Sequence, residues 1–406
     1  MSQSKKLDIV LFGATGFTGE LTAEYLARAL LKESFRWAIA GRDIEKLERL
    51  KKRLFSINPA LREELEIIVA DSSQPESLQA MASRTRVVLS TVGPFIYHGE
   101  PLVKACVEAG TDYADLTGEP EFVDLMIERY HSAALEKKIR IINSCGFDSI
   151  PHDFGVFYTV RQLAQRLGSE VLRSSKVKVE GFVRAGGRFS GGTWHSAIHS
   201  FSRAWEYLQQ RRQRKQNLRR SDRTVGGVVP ALRYRSEIGA WALPFPTIDP
   251  MVIERTATVL DDYGQHFRYG HYVRVKRLPR VLMGLAAVAG VFTLAQIPPT
   301  RNWLLKQKPQ GSGPSAAQRA YGHFSVVIIA ECDGVKLTSR VSGGDPGYTE
   351  TAKMLGETGL CLALDRRVLP KQYGVVTPVV GMGKRLLNRL ELADIRFEVI
   401  KEEDCE

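Results

Sequence analysis

Gly13-Ala14-Thr15-Gly16-Phe17-Thr18-Gly19 follows directly on the apolar run Leu7-Asp8-Ile9-Val10-Leu11-Phe12 and opens an amphipathic segment. The run reads as a buried strand and the segment as a helix, with the glycines forming the turn between them. Gly13 suits a tight turn, Gly16 lets the backbone approach a pyrophosphate, and Gly19 lets helix and strand pack closely. The helix N-terminus offers free N–H groups and the positive end of its dipole to an anion. Three glycines alone are a weak signal, but strand–turn–helix context makes this one specific. Gly13, Thr15, Gly16, Phe17, Thr18 and Gly19 are therefore the first expected cofactor-binding residues.

Outward from this loop, apolar runs alternate with amphipathic ones. Strands are predicted at 7–12, 36–40, 65–70, 86–91, 112–116 and 139–143, with helices near 16–33, 43–56, 75–83, 100–110 and 119–137. This rhythm is that of an α/β domain, a doubly wound (Rossmann) parallel sheet over residues 1–150. Cofactor choice is read at the end of the second strand. An acidic residue there would favour NAD; Arg42 stands there instead, and a guanidinium suits the 2′-phosphate of NADP. Asp43 fits the N-cap of the next helix. Asp71, past the third strand, fits either the adenine amino group or a cap of the Ser72 turn. The fourth strand borders the first, so Thr91, Gly93 and Pro94 in its loop should cover the cofactor. The loops after strands five and six, around Glu119 and Asp148, should open on the same edge.

After Pro151 the rhythm changes. The second region, 151–345, is predicted as an α+β substrate or dimerisation domain on a mainly antiparallel sheet. Its elements are a helix at 151–167, a strand at 176–184 and a Gly-rich loop at 186–192. A helix capped by Thr193 follows, with Trp194, Ile198, Phe201, Trp205 and Leu208 on its apolar face, then strands at 251–260 and 267–276. Asp333-Gly334 between apolar runs predicts a type I′ hairpin. A Gly/Pro/Ser linker falls at 310–315. Residues 346–406 are expected as C-terminal helices and a strand, packing back on the first domain.

The chain has 406 residues, net charge +12, 44% hydrophobic and 25% charged residues, a globular composition with room for two or three cores. Positive charge clusters at Arg211, Arg212, Arg214, Lys215, Arg219 and Arg220, and again at Arg274, Lys276, Arg277 and Arg280. Such clusters draw acidic headgroups, anionic substrates or nucleic acid, or form a solvated face. The expected partners are a lipid-like small molecule, an anionic membrane surface and a second copy of the chain in a homodimer, with no nucleic acid. Residues 281–297 form one long apolar stretch, shorter than the roughly 20 residues of a span. It reads as a buried, dimer-interface or membrane-surface helix. Cys106, Cys145, Cys332, Cys361 and Cys405 show no Cys-x-x-Cys spacing, which argues for a reducing compartment and against a zinc or disulfide framework. With a short polar start that fits no signal peptide, the expected location is cytoplasmic, peripherally membrane-associated.

These motifs add up to a resemblance. The 13–19 loop, Thr91-Val92-Gly93-Pro94-Phe95, Asp112-Tyr113-Ala114-Asp115-Leu116-Thr117-Gly118-Glu119 and Cys145-Gly146-Phe147-Asp148-Ser149-Ile150-Pro151 resemble the saccharopine dehydrogenase-like oxidoreductases. Within them the chain is most similar to the trans-acting enoyl reductase branch, with Gly311-Ser312-Gly313-Pro314-Ser315 and Gly344-Asp345-Pro346-Gly347-Tyr348 extending the likeness. The resemblance implies an NAD(P)-dependent oxidoreductase with NADPH as cofactor. In the enoyl reductase branch it also implies reduction of a carbon–carbon double bond in a polyketide-type lipid, EC class 1.3.1. It carries over no catalytic residue. From the loops themselves, Tyr97, Glu119 and Asp148 are the candidate orienting groups or proton donors. Each also has a structural role open to it: loop packing, a helix first turn and a turn former. A redox-silent NADP-binding scaffold and a reductase of an amino-acid imine remain alternatives. No metal site is expected: His195 and His199 share a helix face without a supporting ligand motif. Tyr272 and Lys276, matching Tyr-x-x-x-Lys, sit in a strand-like context that would hold them about 13 Å apart.

Overall fold

The computed structural model of the chain describes residues 6–186, 191–217, 223–308 and 313–404. Two compact units are present: Met1–Asp148 with Gly311–Gly313 and Gly347–Ala393, and Ser149–Gln310 with Pro314–Pro346 and Asp394–Glu406.

Along the chain, β1 (Leu7–Phe12), β2 (Trp37–Gly41), β3 (Glu66–Val69), β4 (Thr85–Ser90), β5 (Asp112–Asp115) and β6 (Arg140–Ile142) build the first sheet. The chain then lays down β7 (Lys176–Gly186), β8 (Thr224–Gly227), β9 (Arg233–Arg235), β10 (Ala240–Pro244), β11 (His266–Val275), β12 (His323–Cys332) and β13 (Val335–Gly343). It returns to the first sheet with β14 (Gly374–Val376) and ends in the second with β15 (Arg396–Asp404).

The first sheet runs β14-β6-β5-β4-β1-β2-β3, and its pairs are parallel. Strands β1 and β4 are buried almost throughout, as a sheet covered on both faces requires. The order reverses between β1 and β4, the switch point at which such sheets bind ligands. Helix Thr349–Leu364 supplies part of the cover: Gly356 meets Tyr25 and Gly359 meets Leu89, so small residues let it lie close on β4 and the first helix.

The second sheet is mixed, in the order β15-β13-β12-β7-β11-β10-β9, with β8 beside β11. Only the β7–β11 and β8–β11 pairs are parallel; the others run antiparallel. Helix Ile150–Leu167 packs on this sheet, with Gly155 against Ile328 and Val341. The β12–β13 turn holds Asp333 at φ 44° and Gly334 at φ 74°, the positive pair a type I′ turn needs.

Several expectations need correction. Residues 251–260 are not a strand but the body of helix Asp249–Val259. Their β-branched content misleads, while Asp249-Pro250 starts a helix and burial of Met251, Val252, Ile253, Thr256 and Ala257 follows helical spacing. Thr193 lies inside helix Gly191–Asn217 rather than at its cap. Packing of Trp194 and Ile198 with Ala295 and Leu304 outweighs a cap worth about 1 kcal/mol. Trp205 is exposed, and Leu208 with the Arg211–Arg220 cluster falls outside the described side chains. Of the 186–192 loop, residues 187–190 lie outside the described residues and Gly191 and Gly192 already belong to the helix; of the 310–315 linker, residues 310–312 lie outside and Ser315 caps a short helix. The segment 346–406 is not one piece: Gly347–Ala393 belongs to the first unit, whereas β15, which pairs with the β13 edge, belongs to the second.

Candidate functional site

The glycine loop forms the turn that its sequence demands. Gly13 sits at φ 81°, and a Cβ there would lie 2.6 Å from Val92 Cγ2 and 2.7 Å from Thr91 Oγ1. Gly16 is the N-cap of helix Phe17–Ala29 and donates its N–H to the Gly13 carbonyl at 3.0 Å. A Cβ at Gly19 would fall 2.1 Å from the Gly13 carbonyl oxygen, so only glycine lets this helix start so close to β1. Thr91 Oγ1 donates to the Gly13 carbonyl at 3.0 Å, tying the β4 loop to the turn. The first turn of the helix thus projects its N–H groups from a cradle with no side chain at three positions. This is the shape and polarity that a dinucleotide pyrophosphate takes.

Beside the cradle, two carboxylates stitch the loops after β4, β5 and β6 together. Asp115, fully buried at the end of β5, accepts through Oδ1 from the backbone N–H groups of Thr117 and Ser144, both at 3.0 Å. Its Oδ2 accepts from Asn143 Nδ2 at 2.8 Å and the Tyr113 hydroxyl at 3.0 Å. Burial pushes the Asp115 carboxyl up to about 6, against the pull of these four donors, and raises the Tyr113 hydroxyl well above its ordinary value. Glu119 accepts from the N–H groups of Phe95 and Ile96 at 3.0 and 2.9 Å, one on each carboxylate oxygen. Those N–H groups open the short helix after Pro94, so Glu119 anchors the β4 loop by a charged cap. Asp148 lies against Gly118, where an added Cβ would be 3.4 Å from its Oδ2.

Residues 9–142 match the family model of the saccharopine dehydrogenase NADP binding domain. A Mycobacterium tuberculosis protein named as a candidate trans-acting enoyl reductase is 38% identical over 98% of both chains. The trans-acting enoyl reductase of Mycobacterium ulcerans is 33% identical over 96% of both, and the human saccharopine dehydrogenase-like oxidoreductase 32% over 98% of both. This chain belongs to the saccharopine dehydrogenase-like oxidoreductase family. The apo saccharopine dehydrogenase of Saccharomyces cerevisiae shares its fold, with a TM-score of 0.54 at 12% identity over 97% of this chain and 99% of that one.

The oxidoreductase binds NADP(H), and the glycine cradle is where its residues fit that cofactor. Arg42 is exposed just past β2, and Asp43 caps the next helix by accepting from the Lys46 N–H at 3.0 Å, which leaves Arg42 as the outward residue of the turn. Asp71 takes the turn-capping role: its Oδ1 accepts from the Ser73 N–H and hydroxyl, both at 2.8 Å. The Ser73 N–H, then its hydroxyl, with Arg42 adding charge, hold Asp71 below the usual carboxylate range. Gly93 and Tyr97 are exposed in the β4 loop, Pro94 and Glu119 are buried, and Asp148 is exposed. Tyr272 is buried within β11 and Lys276 is exposed beyond its end; no helix brings them onto one face.

Sequence reasoning passed over residues that complete this unit. Asp115, Asn143 and Ser144 organise the loops, yet no local spacing joins residues from two strands. Tyr348 meets Phe17 edge to face at 5.0 Å, and a Cβ at Gly313 would lie 2.4 Å from the Phe17 ring. Thr351 Oγ1 accepts from the Phe147 N–H at 3.1 Å. The Gly-Ser-Gly-Pro and Gly-Asp-Pro-Gly-Tyr stretches marked these positions without showing what they touch.

Proposed function

We propose that this oxidoreductase reduces a carbon–carbon double bond conjugated to a carbonyl in a lipid or polyketide-type substrate, taken up at an anionic membrane surface of the cytoplasm. The glycine cradle bordered by three loops, in a chain whose relatives include proteins named enoyl reductases, carries the reading. When bound, reduced nicotinamide would supply the hydride for the β-carbon. Residues 13–19 would hold the pyrophosphate, and Arg42 would meet the 2′-phosphate. The α-carbon then takes a proton, from the Tyr97 hydroxyl or from water held by Asp148, leaving a saturated bond and NADP+. Glu119, with both oxygens occupied by backbone N–H groups, acts as a positioning residue for the loop that carries Tyr97.

Steady oxidation of NADPH with an α,β-unsaturated acyl thioester, and a reduced product by mass spectrometry, tests the reaction. Tight NADPH binding with no turnover of any enoyl substrate would favour a redox-silent scaffold. Turnover only with a 2-oxo acid plus an amine would favour imine reduction.

The membrane part rests on helix Leu278–Gln296. Its Leu282, Met283, Leu285 and Val288 are 60%, 70%, 45% and 55% exposed. Its far end packs with Ile198, Leu304 and Phe201. No single described helix is long and apolar enough to cross a membrane, but Val281–Gln296 and Pro298–Lys306 form an apolar pair bent by 118°. Exposed Lys276 and Arg277 precede it, exposed Trp205 has its ring 6.3 Å from that of Phe292, and exposed Trp303 and Lys306 follow. Arg274 is drawn inward, donating to the Ile238 carbonyl, and Arg223 binds the Ala257, Leu260 and Gly264 carbonyls. A bent apolar helix with cations and tryptophans at its ends suits an anionic bilayer surface, each surface cation adding about 1 kcal/mol. Sedimentation with phosphatidylserine vesicles should show salt-sensitive binding, lost in the Leu285→Asp/Val288→Asp variant. A dimer that dissociates in that variant, without vesicle binding, would assign the face to a second copy instead.

A further inference from the structure

Three side chains of the second unit, distant from one another in sequence, converge in its interior. His152 stands in the first turn of helix Ile150–Leu167, Asp249 opens helix Asp249–Val259, and His271 lies within β11. They are 2%, 2% and 7% exposed. One ligand atom from each lies within 4.8 Å of the other two. His152 Nδ1 is 2.8 Å from Asp249 Oδ1, and His271 Nε2 is 3.6 Å from Asp249 Oδ2.

We propose that His152, Asp249 and His271 form a structural site for a divalent transition-metal ion, Zn2+ by the chemistry of its donors. Two imidazoles and a carboxylate are the ligands that zinc takes, whereas calcium and magnesium take oxygen. Donors about 2.0–2.1 Å from a tetrahedral ion stand about 3.3 Å apart, and the two observed separations bracket that value. His152, His271 and one oxygen of Asp249 provide three donors, and a water would complete the tetrahedron. Neighbours hold the ligands from outside, as metal sites require. The Tyr269 hydroxyl is 3.0 Å from His271 Nδ1, which turns Nε2 toward Asp249. Thr247 donates its hydroxyl to Asp249 Oδ2, and Phe245 stacks on the His271 ring. His271 Nε2 is buried with no hydrogen-bond partner among the described residues, an atom that a metal would satisfy. A proton shared between Asp249 and an imidazole is the competing arrangement, and it leaves that nitrogen unmet. Only the fold joins these residues; no local histidine spacing marks them.

The test uses the full chain, made in zinc-supplemented medium and purified without metal-affinity resin. Elemental analysis should find about one zinc per chain, and chelation should lower the thermal midpoint by about 5 °C or more. Refilling with Co2+ should give the visible absorption of a low-coordinate site. His271→Ala and Asp249→Asn should lose the metal while NADPH binding persists, and His271→Cys, which keeps a ligand, should retain it. Wild-type protein with less than about a tenth of an equivalent of zinc and no cobalt absorption overturns the site, since a ligand-bound ion is stoichiometric. Full metal content in both the His271→Ala and Asp249→Asn variants overturns it equally. If those two variants fail to fold, the wild-type zinc and cobalt measurements decide alone.

Discussion

Changing Gly16 and Gly19 to alanine, one at a time, should separate cofactor binding from folding. Gly16 has φ −79°, which any residue adopts, and its added methyl would sit 3.3 Å from the Gly13 carbonyl oxygen, a contact relieved by a shift of a few tenths of an ångström. Gly16→Ala should therefore fold with its midpoint almost unchanged, since lower unfolded-state entropy offsets the crowding by about 0.4–1 kcal/mol. The same methyl stands where a pyrophosphate must approach. Losing one charge-assisted contact costs about 1.5–3 kcal/mol, so NADPH affinity should fall by about tenfold or more. Gly19→Ala forces a methyl to 2.1 Å from a backbone carbonyl and 2.9 Å from Ala14 Cα, neither of which can rotate away. Overpacking of this kind costs about 1–3 kcal/mol, a fall of roughly 2–12 °C in the melting of a unit this size. Calorimetric NADPH titration and thermal melts with and without cofactor provide the readout. Wild-type affinity in Gly16→Ala would mean that the phosphates do not lie on this loop. An unshifted melt in Gly19→Ala would mean that the helix and β1 do not meet as described.

Two further outcomes follow from the site. NADPH should bind more tightly than NADH, with Arg42→Asp erasing or reversing the gap of about tenfold or more; equal affinities in the unaltered protein would refute a phosphate contact at Arg42. For Asp115, the folded pKa of about 6 exceeds the ordinary 3.8, so the folded state keeps its proton longer and stability from this group falls as pH rises between those values. Against Asp115→Asn, the wild type should thus gain on the order of 3 kcal/mol as pH drops from 7 to about 4; urea-unfolding curves that stay parallel over that range would show an ionised Asp115 throughout.

What was legible in the sequence was whatever is local. The Gly13 turn, the Asp43 cap and the Asp333-Gly334 hairpin each follow from the φ preference or hydrogen bonding of one or two residues, and the structure shows all three. Over residues 251–260 valine, isoleucine and threonine report a strand preference that tertiary packing overrides, while the Asp249-Pro250 helix start carries the truer signal. β14 is three residues long, too short for any periodicity, and gains its place only by pairing with β6. Glu119 was visible as a polar residue in the right loop. Its use as a cap for Phe95 and Ile96 was not, because that depends on two loops being brought together. Asp249 illustrates the same limit: its helix start is local, but its meeting with His152 and His271 is not.

The first sheet has a consequence for how the protein is made. Its edge strand and the helix that covers β4 come from residues 374–376 and 349–364, more than two hundred residues after β6. A ribosome adding about 5–20 residues per second emits the glycine loop early and the pieces that close its sheet ten seconds or more later. During that interval Leu89, later covered by Gly359, and Ile141 and Ile142, later edged by β14, face solvent or a chaperone. The sheet that carries the glycine loop is therefore closed at its edge and covered over Leu89 only by residues near the end of the chain.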